Sequence, residues 1–145
     1  MNKDVLKIPG LNIQAPWSEL IVSLQKVVET RGYPLPEKFK GKPIAVIETP
    51  GRNKSLGKAK IIGVVVFSES FKYENRNQWL KDFDRHVVNQ DDPIFKFIEN
   101  KPKHGWVVEC AFRLESPVPP PKKRGIIFAS ECVIPMQFLP TYKRD

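Results

Sequence analysis

The apolar positions of this chain change period several times, and each change marks an element. Trp17, Leu20, Ile21 and Leu24 recur at i, i+3, i+4 and i+7, which predicts a short helix with one buried face. Pro16 stands at its opening, where a missing N–H costs nothing. Ahead of it, Leu11 and Ile13 read as a short strand. Behind it, Lys26 to Arg31 alternates with period two and is rich in β-branched residues, so a second strand is expected. That period places Val27, Glu29 and Arg31 on one face, and Val28 and Thr30 on the other. Ile44 to Glu48 is a continuous apolar run, hence a central strand. Ile61 to Phe67 is the clearest strand, and Gly63 within it marks a bulge or a close backbone approach. Asn77 to Val87 is predicted helical, with Trp79, Phe83 and Val87 four apart and Asn75 or Asn77 as N-cap. Ile94 to Ile98 is a short apolar segment of open type. Trp106 to Leu114 alternates as a strand with Trp106, Val108, Cys110, Phe112 and Leu114 on one face. Ile126 to Phe128 and Cys132 to Ile134 close the series.

Turn signals separate these elements. Gly32 to Lys42 contains two glycines and two prolines and is a loop, with Tyr33, Leu35 and Phe39 as apolar anchors. It is either a wall beside Glu29 and Arg31 or a loop pinned by Phe39. Pro117 to Pro121 reads as extended, polyproline-like chain. At 145 residues, one domain is expected at 9–138, after an N-terminal arm at 1–8 and before a polar tail at 139–145. Six or seven short strands broken by glycine and by 14 prolines, with two helices, favour a closed or nearly closed barrel over an open sheet.

Charge is the one compositional imbalance: 24 lysines and arginines against 16 acids, a net +8. Such a surplus favours polyanions, nucleic acid first. Arg52, Lys54, Lys58 and Lys60 form the densest cationic cluster, and Lys122, Lys123 and Arg124 a second. Both suit a nucleic-acid backbone, with a solvated hairpin tip as the plainer alternative for the first. No apolar run reaches the ~20 residues of a membrane span, and no leader pattern opens the sequence. A cytoplasmic location is therefore expected, or a nuclear one in a eukaryotic cell. Cys110 and Cys132 are expected as buried thiols. Neither histidine nor cysteine spacing offers a metal site, and no cofactor is expected.

Pro16-Trp17-x-Glu19-Leu20-Ile21 followed by Lys26-x-x-Glu29-x-Arg31 resembles the signature of the ASCH domain family, a branch of the PUA-like superfamily. Gly41 to Val46, Ala59 to Phe67, Gly105-Trp106 and Pro117 to Gly125 resemble its later segments, so that most of the chain, about residues 9–135, is covered. The resemblance implies an α+β, mainly β fold: a PUA-like β-barrel of about six strands with two or more flanking helices and a ligand cleft lined by Lys26, Glu29 and Arg31. In that cleft Arg31 offers a planar fork to phosphate or carbonyl oxygen. Lys26 is a point cation, and Glu29 accepts from an exocyclic amine or holds Arg31. Gln14, Trp17 and Tyr33 complete the expected nucleotide-binding set. Trp17 and Tyr33 would give stacking faces, although helical spacing also suits Trp17 to the core.

The expectation is an ASCH-like monomer that binds RNA or single-stranded nucleic acid. A second reading is a hydrolase on a modified nucleoside, or a weak ribonuclease. Amidohydrolases that the chain resembles carry Lys-x-x-Thr-x-Arg with threonine as nucleophile. Here Glu29 takes that position and Thr30 is expected on the opposite face, which argues against catalysis. Lys26 and Glu29 would carry catalysis if there is any, with His86, otherwise read as a surface residue, as a third group for ribonuclease chemistry. A third reading is a protein-interaction or co-regulator module docking through Pro117 to Pro121.

Overall fold

The computed structural model describes residues 4–51, 55, 57–123 and 125–140. Its strands are β1 (Val5–Gln14), β2 (Val28–Arg31), β3 (Pro43–Thr49), β4 (Lys60–Lys72), β5 (His104–Val118) and β6 (Phe128–Pro135). They form one six-stranded sheet in the order β2-β5-β4-β3-β1-β6. β1 and β3 run parallel, and every other pairing is antiparallel. Three short helices flank the sheet: α1 (Trp17–Val22), α2 (Arg76–Lys81) and α3 (Phe83–His86).

β3 shows why the sheet holds two cores. Ile44 and Val46 turn to one face, Ala45 and Ile47 to the other, and all four are fully buried. The first face gathers Leu11, Ile13, Val65, Phe67 and Trp106 beneath Ile21 and Val22 of α1. The second gathers Ile8, Ile61, Val64, Leu114, Cys132 and Ile134. This is the continuous apolar pattern of a strand covered on both sides.

The sheet curls without closing. Trp106 on β5 stacks near Phe128 on β6, with ring centroids 6.4 Å apart, although three strands lie between them in the ladder. Among the described residues no backbone pairing joins the two edge strands, β2 and β6. The six strands and flanking helices of the expected architecture are present, and the curled sheet leaves a mouth between these edges.

Several local expectations are corrected. Val5 to Ile8, expected in a free arm, belong to β1 and pair with β6. Leu139, assigned to the tail, packs into the second core. Leu24 leaves α1 with φ 64° and is exposed, so the helix buries Ser18, Ile21 and Val22. The helix predicted over 77–87 is two helices broken at Asp82, whose carboxylate is held by Tyr73 and Arg85; Asn75 caps the first. Cys110 is exposed, because the register against β4 skips Glu109 and the alternation of β5 slips there. Residues 94–98 form neither helix nor strand. Among the described residues no helix is long and apolar enough to cross a membrane.

Gly63 is both a register shift and a close approach. A Cβ there would meet the Phe112 carbonyl oxygen at 2.4 Å and Val22 Cγ1 at 2.5 Å. Gly63→Ala is therefore expected to destabilise the fold by about 1–3 kcal/mol in denaturant unfolding, since backbone cannot yield as a side-chain tip can. A change within ~0.5 kcal/mol, the range of an ordinary surface substitution, would contradict this packing.

Candidate nucleotide-binding site

The site begins where the chain turns out of α1. The Gln25 and Lys26 N–H groups both donate to the Leu20 carbonyl at 2.9 Å, closing the helix and turning Lys26 inward. The Val27 N–H then donates to Arg85 O at 2.9 Å, which fixes the entry to β2 against α3. Lys26 is 1% exposed and Glu29 6%. The Lys26 ammonium donates to the His86 carbonyl oxygen and stands 3.9 Å from Glu29 Oε1. Glu29 Oε2 accepts from Arg31 Nε at 2.8 Å and pairs with Nη2 at 2.7 Å. Arg31 Nη2 also donates to the Asn12 carbonyl at 2.9 Å, reaching from β2 across the mouth to β1. Its guanidinium lies 5.6 Å over the Trp106 ring.

Burial pulls the Lys26 ammonium down from its ordinary pKa to about 8. The Glu29 carboxylate works against that fall, while Lys103 and Arg31 add to it. Burial also opposes the charge on Arg31, but Glu29 and the neighbouring Tyr33 hydroxyl outweigh it and hold the guanidinium above its usual value. Two cations and one carboxylate leave the floor with a net positive charge, which suits an anion or an electron-rich acceptor.

Above this floor opens a cavity of about 600 Å³, within the range of small-ligand sites. Trp17 and Phe95, in edge-to-face contact at 4.8 Å, and Val88 form its apolar wall. Gln14 and Thr49, paired in register between β1 and β3, form the polar one. Lys122, Gly125 and Ile126 stand at the rim. The cavity occupies the mouth that the sheet leaves open.

No protein-family model matches the chain, and no curated protein sequence matches it. Similarity appears in three dimensions. The crystal structure of ASCH from Zymomonas mobilis aligns with a TM-score of 0.60 at 15% identity, over 77% of this chain and 72% of that one. Two point variants of the Zymomonas mobilis protein give the same score and identity, over 72% and 74% of their chains. The chain has an ASCH-like fold.

Within this ASCH-like frame, Gln14, Trp17, Lys26, Glu29, Arg31 and Lys122 meet at one cavity. Tyr33 does not line it: its ring packs edge-on against Trp106 at 5.7 Å, on the core side of Arg31. Trp17 is half-buried and serves both as packing and as cavity wall. Lys60 lies in a separate groove beside Glu19, Glu48 and Arg113. Lys58 and Lys123 are exposed and do not line the cavity. Arg52, Lys54 and Arg124 lie outside the described residues. His86, expected at the surface, is 1% exposed; it accepts from the Val88 N–H through Nδ1 at 2.9 Å and faces Trp79 O through Nε2 at 2.8 Å. That network assigns a neutral, Nε2-protonated ring, and burial lowers its pKa. His86 is thus a structural residue.

Asn12, Thr30, Thr49, Val88, Phe95, Gly125 and Ile126 also line the site, outside the set that the sequence marks. Thr30 lines the cavity despite its place on the other strand face, and edge geometry explains this. The Val108 N–H donates to Val27 O, so Glu29 and Arg31 take the hydrogen-bonded positions opposite β5. Thr30 then directs its own N–H and C=O off the edge of the sheet.

The buried lysine has a measurable consequence. Its folded-state pKa lies below the unfolded value, so the unfolded chain binds more protons between the two. The penalty for burying the charge is fully present below about pH 8 and fades toward pH ~10.5. Native stability is expected to rise with pH through that window relative to Lys26→Met, followed by denaturant unfolding. Parallel curves for the two proteins would contradict the depressed pKa.

Proposed function

We propose that this ASCH-like domain binds RNA or single-stranded nucleic acid and captures one nucleotide in the cavity at Lys26, Glu29 and Arg31. The observation that carries this reading is the cavity itself. Its floor has net positive charge, its wall holds two aromatic rings, and a lysine stands on its rim. Arg31 is fixed by Glu29 and Asn12, so its remaining donors are pre-set for an acceptor oxygen. Trp17 and Phe95 offer ring faces and edges to a base. Glu29 Oε1 stands beyond hydrogen-bond reach of Lys26, in position to accept from an exocyclic amine. The surplus of basic residues supplies the sequence-independent part of the affinity. A cytoplasmic or nuclear monomer would meet this role.

The test is binding of a fluorescent, mixed-sequence single-stranded RNA at two salt concentrations. Affinity is expected to fall steeply with salt, with a log–log slope of about −0.7 per phosphate contacted. Lys122→Glu should weaken all sequences alike and flatten that slope by roughly one contact. Glu29→Gln should instead change base preference. Salt-independent binding, or identical effects of the two substitutions, would overturn this assignment.

One observation favours a second reading. A buried lysine with a pKa near 8 is more available as a nucleophile or proton carrier than an ordinary surface lysine. A hydrolase acting on a modified nucleoside, or a weak ribonuclease, would use it. Product formed by the wild type and abolished by Lys26→Ala, with RNA affinity retained, would move the assignment there.

A further inference from the structure

Ile126 is anomalous. It is 97% exposed, whereas every other exposed large apolar side chain among the described residues is at most 50% open. An isoleucine in water is ordinary on a loose tip, but this backbone is tied down. Asn12 Nδ2 donates to the carbonyl oxygens of Gly125 at 2.9 Å and Ile126 at 2.8 Å. The Asn12 N–H donates to Ile127 O at 2.8 Å, and the Gly125 N–H donates to Phe128 O at 2.8 Å. A Cβ on Gly125 would come within 2.8 Å of that same oxygen, so the turn needs a residue without one. Asn12 is also the residue whose carbonyl receives Arg31. The turn that lifts Ile126 into solvent and the charged floor of the cavity therefore share one anchor.

We propose that Ile126 is a fixed apolar wedge that separates a base held in the cavity from its stacking neighbour, so that the site takes a nucleotide within a single strand in preference to a free nucleotide. The inference rests on the nucleotide reading given above. Its support is placement. Ile126 stands on the rim of a cavity with a charged floor, beside Lys122, which is placed to meet a strand's phosphate. Ile126 and its partly exposed neighbour Ile127 together present far less surface than a protein interface, which needs roughly 800 Å² a side. The Ile126 side chain does match the face of one base. Apolar side chains set between bases unstack them in this way, and the surface that the opened strand then lays against the protein offsets the cost. A base drawn into the cavity leaves its neighbour with one uncovered face, and Ile126 is positioned to cover it.

The test compares a nucleoside monophosphate with a short single-stranded oligonucleotide carrying 2-aminopurine, whose fluorescence rises on unstacking. The wild type should bind the oligonucleotide more tightly than the monophosphate and raise the 2-aminopurine signal. Ile126→Ala should lose about tenfold in oligonucleotide affinity, together with the fluorescence rise. Its affinity for the monophosphate should fall less than its affinity for the oligonucleotide, because Ile126 stands at the rim and not on the charged floor. An unchanged denaturant-unfolding curve shows the variant to be folded, and Ile126→Leu should restore most of the effect. If Ile126→Ala binds and unstacks the oligonucleotide as wild type does, the wedge is wrong while the nucleotide site stands. If the wild type binds neither ligand, the nucleotide reading fails and the wedge fails with it.

Discussion

The site depends on one buried chain of charge. Arg31 on the edge strand β2 is held by Glu29 and reaches the carbonyl of Asn12 on β1. Among the described residues no backbone ladder joins the two edges of the curled sheet, so this guanidinium is a tie across its mouth. Burying charge is costly unless it is paired and hydrogen-bonded. Glu29 supplies the pairing, and Lys26 adds a second cation anchored on His86 O. Removing the carboxylate would strand two cations in the interior. The arrangement that holds the mouth in shape is also the one that gives the cavity its positive floor.

The surroundings serve that arrangement. His86 is neutral and stacks on Trp79 at 4.7 Å, which sets the carbonyl that receives Lys26. Asp82 breaks the helix and binds Tyr73 and Arg85, whose backbone in turn positions Val27 at the start of β2. Asn12 ties the rim turn at Gly125 and Ile126 to the same floor. A ligand entering the mouth meets groups already held by their own partners, so little ordering remains to be done on binding.

Much of this was legible in the sequence, for reasons of period. β3 and β4 were marked by continuous apolar runs, α1 by helical spacing, and Lys26, Glu29 and Arg31 by alternation and by resemblance to a known motif. What escaped was set by distant contacts. Thr49 reaches the cavity only because β3 pairs in parallel with β1, and Phe95 only because an irregular loop packs on Trp17. The break at Asp82 and the burial of His86 are instead local: both follow from side-chain bonds among residues 73–88, which helical spacing does not reveal. The skipped register at Glu109, which exposes Cys110, interrupts an alternation that looks regular in sequence. Thr30, expected on the opposite face from Glu29 and Arg31, lines the same cavity from the edge strand.

A nucleic-acid strand is proposed to lie in the mouth between the edge strands β2 and β6, across which Arg31 reaches β1. Backbone amide chemical-shift mapping during titration with a short single-stranded RNA tests it most directly. The account predicts the largest shifts at Asn12, Thr30, Arg31, Val88 and Ile126, a set scattered in sequence but gathered around one cavity. Shifts confined to another face, such as the groove of Lys60 and Arg113, with the mouth unperturbed, would contradict it.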